Sequence, residues 1–322
     1  MVNVLLLGAT GYIGKELCHS LVRGGDHRVY GLARTAEKAK DLAKEEVIPI
    51  IGSTSDTQEL LNSIEKHRID VIVDLMGAEL NTTKTLISEI KKIGAARLEA
   101  ASEAGIRIQK LGFIYCSGTW LHGSSNEPVS DLTPVAASNS PTPPAELTSW
   151  RAIVEKEVLD CSDVLDVMIV RPALVYGRSH PIWGIFFGPI HAASQDGSSS
   201  VGLAADPESR PGLVHVDDVA SGFHAAIEKL PLISGTGVYP VFDLVSSQES
   251  MKDILNFAAK TIGYNGKVEL VGAGDDLFAK AMSTSMNNHS ARAKQILGWE
   301  PRKTSFVQGM DIYAKGFVAA TV

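Results

Sequence analysis

Short apolar runs alternate with segments of helical pattern through the first half of this chain. The apolar runs are Val2–Leu7, Arg28–Leu32, Val47–Ile51, Val71–Leu75, Phe113–Cys116 and Asp166–Val170. The helical segments are Lys15–Val22, Ala36–Glu45, Gln58–Lys66, Asn81–Ala104 and Ser149–Leu159. Apolar strands separated by helices are typical of parallel strands buried on both faces. The pattern therefore predicts an α/β fold built on a doubly wound parallel sheet, the Rossmann arrangement.

The regular alternation weakens after about Pro172. Residues 131–144 and 195–212 are rich in loop-forming residue types and predict two irregular loops. Helical patterns return at Ser290–Leu297 and Phe306–Val318. We therefore predict a Rossmann domain at residues 1–172, whose core continues into the second half, and a smaller C-terminal lobe at residues 173–322.

A glycine motif joins the first predicted strand to the first predicted helix. In Gly8-Ala-Thr-Gly11-Tyr-Ile-Gly14, the first glycine allows a tight turn, the second admits a pyrophosphate to the backbone N–H groups, and the third lets helix and strand pack closely. The motif predicts a dinucleotide site. The predicted contacts are Gly8, Thr10, Gly11, Tyr12, Ile13 and Gly14. The alternative is a glycine-rich turn without a ligand.

Arg34 bears on the choice of dinucleotide. NAD sites usually place a carboxylate at the end of the second strand, whereas the sequence here is Gly31-Leu-Ala-Arg34-Thr35. A guanidinium group suits a 2′-phosphate. The sequence therefore favours NADP(H) over NAD(H), and the alternative is a solvated surface arginine.

Composition excludes several classes of function. The net charge of −7 and the pI near 5.7 argue against nucleic acid or an anionic membrane as a partner. Cys18, Cys116 and Cys161 lack metal-ligand spacing, so we expect reduced thiols, no metal and a cytoplasmic protein. The first residues resemble a core strand more than a signal peptide, and no apolar run is long enough to span a bilayer.

Five motifs, in order along the chain, resemble those of the extended short-chain dehydrogenase/reductases, also called the NAD-dependent epimerase/dehydratase family. They are GATGYIG at residues 8–14, FIYCSGTWLHG at 113–123, RPALVYG at 171–177, VHVDDVA at 214–220 and LGWEP at 297–301. The resemblance implies an NAD(P)-binding Rossmann domain, a lobe that binds a small-molecule substrate, and a homodimer through the long helices. It also implies further cofactor contacts at Leu75, Met76, Gly77, Cys116, Ser117, Arg151 and Pro172.

The family's Tyr-x-x-x-Lys pair is absent from this sequence, because no tyrosine is followed four residues later by lysine. One register of the corresponding helix places Leu147 and Arg151 at the two positions, and another places Trp150 and Val154 there. The position of the family's serine or threonine falls on Gly118, with Ser117 and Thr119 beside it.

Five residues remain as candidates for catalysis: His122, Arg151, Ser117, Thr119 and Tyr176. The pKa of histidine lies near neutral pH, the guanidinium could hold the cofactor ribose or polarise a carbonyl, and the hydroxyl groups could donate hydrogen bonds or a proton. Each has a structural alternative, namely a loop cap, a bond to backbone groups or a place in the core.

Two further groups invite functional interpretations. His215 with Asp217 and Asp218 suggests a metal or acid–base site, but we favour a structural role in which one aspartate caps the following helix. The aromatic stretch Trp183–Phe187 could line an apolar substrate pocket, form a core helix or form an interface.

Three functions are therefore open. The first is an atypical NADP(H)-dependent reductase or dehydrogenase acting on a small carbonyl or alcohol. The second is a non-redox epimerase, isomerase or lyase of the same fold. The third is a dinucleotide-sensing binding protein without catalysis, which the missing Tyr–Lys pair suggests.

Overall fold

The computed structural model describes residues 1–54, 57–178 and 182–321. The strands are β1 (Val2–Leu7), β2 (His27–Ala33), β3 (Ile48–Ile51), β4 (Val71–Asp74), β5 (Leu111–Cys116), β6 (Ser125–Val129), β7 (Leu165–Pro172), β8 (Leu174–Tyr176), β9 (Ser200–Leu203), β10 (Gly212–His215), β11 (Val241–Leu244), β12 (Ser247–Gln248), β13 (Lys267–Leu270) and β14 (Met286–Asn288). The helices are α1 (Tyr12–Gly24), α2 (Ala36–Lys44), α3 (Thr57–Lys66), α4 (Leu80–Glu103), α5 (Arg151–Leu159), α6 (Gly184–Asp196), α7 (Val216–Ile233), α8 (Met251–Ile262), α9 (Leu277–Met282) and α10 (Met310–Thr321).

Seven parallel strands form the central sheet in the order β11-β7-β5-β4-β1-β2-β3. The strand order reverses beside β1, which is the point where doubly wound sheets bind their ligands. The α/β fold class and the six strands predicted from the apolar runs are confirmed. β11 completes the sheet from the second half of the chain.

Side chains of β1 show why the strands are apolar throughout. Val4 and Leu6 pack into the core beside α1 and α7, whereas Leu5 and Leu7 pack into the core beside α3, α4 and α5. All four side chains are fully buried. Because successive strand residues point to opposite faces, a strand covered by helices on both faces needs apolar residues at every position.

The smaller lobe has its own apolar core, in which α6, α8 and α10 pack together. The predicted loop at 131–144 is irregular in the structure, but the predicted loop at 195–212 contains β9. The last helix begins at Met310 rather than Phe306. The predicted segment before it is helical from residue 291 to residue 297, and its last five residues, Ala293–Leu297, form a π-helical turn. Among the described residues, no helix is both long and apolar enough to cross a membrane.

Candidate active site

The glycine motif forms a tight turn between β1 and α1. Gly8 has a φ of +88°, and its carbonyl accepts a hydrogen bond of 2.9 Å from the N–H of Gly11. A Cβ on Gly14 would lie 2.1 Å from the Gly8 oxygen, so only glycine permits this contact. Gly11 precedes α1 without a side-chain cap, and the first turn of α1 carries no acidic residue. The first N–H groups of α1 are therefore suited to an anionic pyrophosphate.

Other predicted cofactor contacts surround this turn. Thr10 is exposed, and Ile13 lines the adjoining cavity. The hydroxyl of Tyr12 donates a hydrogen bond of 2.5 Å to the carbonyl of Gly177, and burial raises the pKa of Tyr12. Arg34 is exposed directly after β2, where a ribose phosphate could reach its guanidinium group.

A cavity of about 260 Å³ lies at the carboxyl ends of β4, β5 and β7. It brings together most of the remaining predicted site residues: Ile13, Leu75, Gly77, Cys116, Ser117, Thr119, Arg151 and Pro172. Met76 is not part of the lining, and its N–H instead donates to the Asp74 carboxylate at 3.0 Å. Leu174, Val175 and other aliphatic groups make most of the remaining wall apolar.

Three polar atoms on residues that line this cavity are buried without a hydrogen-bond partner among the described residues. They are Ser117 Oγ, Thr119 Oγ1 and Trp120 Nε1. Buried polar atoms are rarely left unpaired, because each such atom costs about 1–3 kcal/mol. A ligand whose oxygen reaches these atoms would satisfy them. The sequence prediction included the two hydroxyl groups but missed Trp120, although it stands within the quoted motif.

Arg151 is fixed at the edge of the cavity, at the start of α5. Its Nη1 donates to the Tyr115 hydroxyl at 3.0 Å and to the Cys116 carbonyl at 3.1 Å. Leu147 lies in the short turn before the helix and supplies no phenol. Tyr115 does not line the cavity, and burial raises its pKa although Arg151 opposes the shift. The guanidinium group therefore lies beside the Tyr115 phenol, which does not reach the cavity.

Asp74 is a buried carboxyl group that the sequence analysis did not select. Burial raises its pKa to about 6, although the Met76 N–H and Arg151 act in the opposite direction. Its Oδ2 atom is buried without a partner among the described residues. A charged residue at the end of the apolar strand Val71–Asp74 is the signal that could have drawn attention to it.

Asp74→Asn should remove a pH dependence of stability. The pKa of Asp74 is raised from 3.8 to about 6 in the folded protein, so folding favours the protonated carboxyl. The stabilisation that the protonated Asp74 carboxyl gives to the folded state is complete below about pH 4. It falls by up to about 3 kcal/mol as the pH rises past 6. We expect the variant's advantage in unfolding free energy to grow between those pH values in urea titrations. The exposed control Asp163→Asn should not show it, and equal pH profiles for both variants would contradict the prediction.

Tyr176 lies in the core of the smaller lobe rather than at the cavity. Its ring stacks on Phe306 at 4.3 Å between ring centroids, and its hydroxyl donates to the Lys303 carbonyl at 2.9 Å. Burial raises its pKa. The hypothesis that Tyr176 is a displaced proton donor is therefore corrected, because the side chain is buried and its proton is engaged by a backbone oxygen.

His122 belongs to a buried polar network behind the cavity. Its Nε2 lies 2.8 Å from Asp243 Oδ2, and the amide of Asn288 donates to the same oxygen at 3.1 Å. Burial alone would raise the pKa of Asp243, but His122 and Arg171 outweigh burial and lower it. His122 is 2% exposed and does not line the cavity. Its predicted role as the titratable catalytic group is therefore corrected to a structural one.

Arg171 is the central cation of this network. Its Nε and Nη2 atoms donate to the two carboxylate oxygens of Glu155 at 2.8 and 2.5 Å. Its Nη1 lies 3.8 Å from Asp243 Oδ1. Burial lowers the pKa of Arg171, but the two carboxylates more than offset that effect. The network links α5, β7 and β11 and holds the helix that carries Arg151.

The remaining sequence hypotheses have structural outcomes. The cap of α7 is His215, whose Nδ1 accepts from the Asp217 N–H at 3.0 Å, so the aspartates are not the cap. Asp218 instead accepts hydrogen bonds of 2.9 Å from the N–H groups of Arg302 and Lys303. The aromatic residues of the 183–187 stretch are buried in the core of the smaller lobe rather than lining the pocket.

The residues present fit a dinucleotide. The glycine turn admits a pyrophosphate, and the cavity beside it is lined by predicted cofactor contacts at the ends of three strands. When bound, such a cofactor supplies or accepts a hydride. The chain itself supplies a fixed cation at the edge of the cavity and three unpartnered hydrogen-bond donors on residues that line it.

A model of the NAD dependent epimerase/dehydratase family matches residues 4–239. Sterol-4-alpha-carboxylate 3-dehydrogenase, decarboxylating, of Dictyostelium discoideum is 27% identical over 191 residues, 55% of this chain and 54% of that protein. Isoflavone reductase homolog P3 of Arabidopsis thaliana is 30% identical over 121 residues, 34% of this chain and 37% of that protein. The matches thus span about half or less of these relatives.

Solved structures share the fold over the whole chain. UDP-glucuronic acid 4-epimerase from Bacillus cereus, in complex with UDP-glucuronic acid and NAD, superposes with a TM-score of 0.72 at 18% identity and covers 100% of both chains. dTDP-glucose 4,6-dehydratase from Bacillus anthracis, in complex with NAD, has a TM-score of 0.70 at 16% identity, covering 99% of this chain and 97% of that one. The family match, the strand order and the glycine turn agree: this chain belongs to the NAD-dependent epimerase/dehydratase family of dinucleotide-dependent enzymes.

Proposed function

We propose that this protein is an NADP(H)-dependent oxidoreductase that reduces a small carbonyl compound with an apolar body, or oxidises the corresponding alcohol. The observation that carries the proposal is that three residues with unpartnered donors, Ser117, Thr119 and Trp120, line a largely apolar cavity beside the glycine turn. A carbonyl or hydroxyl oxygen would pair with such donors, and the apolar wall suits the rest of the substrate. The names of the two curated relatives, a dehydrogenase and a reductase homolog, support the same class.

In this proposal, Arg151 and the hydroxyl groups act on the substrate oxygen or the ribose without supplying a proton. Guanidinium groups are poor general acids, so Arg151 acts by stabilising negative charge. Thr119 and Ser117 donate hydrogen bonds to the oxygen as charge develops on it. The proton then comes from solvent rather than from a tyrosine.

Thr119→Val should lower the rate of carbonyl reduction without lowering the stability of the fold. The substitution keeps the shape of a side chain that is 1% exposed and removes a hydroxyl group with no partner in the described structure. We expect kcat/KM for carbonyl reduction to fall by about 10²–10³, while the unfolding free energy stays within about 1 kcal/mol of the parent. The measurement is NADPH oxidation with a panel of apolar ketones and aldehydes, and the control is the exposed Thr85→Val.

Outcomes of the same assay distinguish the other functions. A product with the mass of the substrate would indicate an epimerase or isomerase, and tight NADPH binding without turnover of any compound would indicate a sensor.

The cofactor part of the proposal is tested by Arg34→Ala, which should weaken NADPH binding about tenfold and leave NADH binding unchanged. Equal losses for both nucleotides would contradict a role for Arg34 in binding the 2′-phosphate.

A further inference from the structure

Two histidines and a glutamate meet at the edge of the sheet opposite to the cavity. His27 opens β2, so it lies at the amino end of that strand, and His224 and Glu228 are one turn apart on α7. Each residue offers one ligand atom, and the three atoms lie within 4.8 Å of one another. The dinucleotide site uses the carboxyl ends of the strands, so this cluster is separate from it.

The ring of His27 is shielded but makes no hydrogen bond. Both of its nitrogens, Nδ1 and Nε2, are buried without a partner among the described residues. The His224 ring lies beside it, with 5.5 Å between ring centroids in an edge arrangement. A histidine that gives up hydrogen bonds to water on both nitrogens needs a compensating partner, and no group in the part of the chain that the structure describes hydrogen-bonds to either nitrogen.

The second histidine is oriented from outside the cluster. His224 Nδ1 lies 2.9 Å from Ser20 Oγ on α1, while His224 Nε2 faces Glu228 Oε1 at 3.6 Å. A proton on Nδ1 donated to the serine leaves the Nε2 lone pair directed into the cluster. Histidines that bind metals are held in this way by a hydrogen bond on the other ring nitrogen.

We propose that His27, His224 and Glu228 bind one divalent transition-metal ion, with Zn²⁺ the best match. Two imidazole nitrogens and one carboxylate oxygen form a familiar zinc donor set, which leaves a fourth position for water. Ligand atoms around a tetrahedral zinc ion lie about 3.4 Å apart, given bond lengths of about 2.0–2.1 Å, so modest side-chain rotations complete the site. The ion would link the start of β2 to α7 and thereby hold α1 and α7 against the sheet.

Isothermal titration of the protein with ZnCl₂, after treatment with a chelator, tests the proposal. We expect one saturable equivalent in the parent protein and its loss in His27→Gln and His224→Gln. Glu228→Gln should weaken binding strongly, and Ser20→Ala should weaken it about tenfold by releasing the orientation of His224. Absorption bands of the Co²⁺ form should show a site of low coordination number that these variants lose.

His19→Gln is the matched control, because His19 on α1 also faces two carboxylates, Glu16 at 3.4 Å and Glu45 at 3.2 Å. This variant should bind Zn²⁺ with the affinity of the parent. Glu228 has a side chain that is 48% exposed, so its substitution does not threaten the fold. Absence of saturable binding in the parent, or parent-like binding in Glu228→Gln and His27→Gln, would overturn the proposal.

Discussion

Arg171→Met will lower the free energy of unfolding by about 3–5 kcal/mol, because it removes one partner of a buried ion pair. The Arg171 side chain is 2% exposed, and its Nε and Nη2 atoms donate hydrogen bonds to both carboxylate oxygens of Glu155. Without the guanidinium group, Glu155 keeps a buried charge with no counterion at these distances, and Asp243 loses the cation 3.8 Å away. Urea unfolding monitored by circular dichroism measures the loss.

Arg178→Met provides the matched control at an exposed pair. Arg178 has a side chain that is 54% exposed and contacts Asp217 through two hydrogen bonds of 3.1 Å. Exposed pairs contribute about 0–1 kcal/mol, so this variant should lose no more than that. The double variant Glu155→Gln with Arg171→Met should recover part of the stability, because it removes the buried carboxylate that the single variant leaves without a counterion. Similar losses for the two single arginine variants would show that the buried network does not stabilise the fold.

Gly14→Ala will abolish most dinucleotide binding. A Cβ at this position would lie 2.1 Å from the oxygen and 2.8 Å from the carbonyl carbon of Gly8. Both are backbone atoms, so the turn must move away from the start of α1 to relieve the contact. We expect the Kd for NADPH to rise on the order of 100-fold, which corresponds to about 2.7 kcal/mol. Isothermal titration with NADPH measures this loss.

Gly316→Ala is the control for the glycine turn. Gly316 is exposed within α10, where an added Cβ would meet no heavy atom within 4 Å outside its own helix and chain neighbours. Alanine there should leave NADPH affinity unchanged and stabilise the helix by up to about 1 kcal/mol. Unfolding curves of both variants confirm that each protein is folded before titration. A folded Gly14→Ala protein that binds NADPH like the parent would show that the turn does not hold the cofactor.

Local physical chemistry made much of the fold predictable. The apolar run Val2–Leu7 predicts a strand buried on both faces, and the structure pairs it with parallel strands on either side. The glycine spacing from Gly8 to Gly14 predicts the turn because backbone approach excludes a Cβ whatever the distant residues are. The short strands of the smaller lobe were not predicted, since pairs such as β9 with β13 depend on partners far along the chain.

The sequence by itself determined the Rossmann core, the dinucleotide turn and the absence of a Tyr-x-x-x-Lys pair, because spacing along one strand or helix fixes each of them. Only the tertiary structure decided that His122 and Tyr176 are buried away from the cavity, and that Trp120 is among the residues that line it. Only the fold brings His27 to His224. Burial and partners determine what a polar side chain can do, and both arise from contacts between residues distant in sequence.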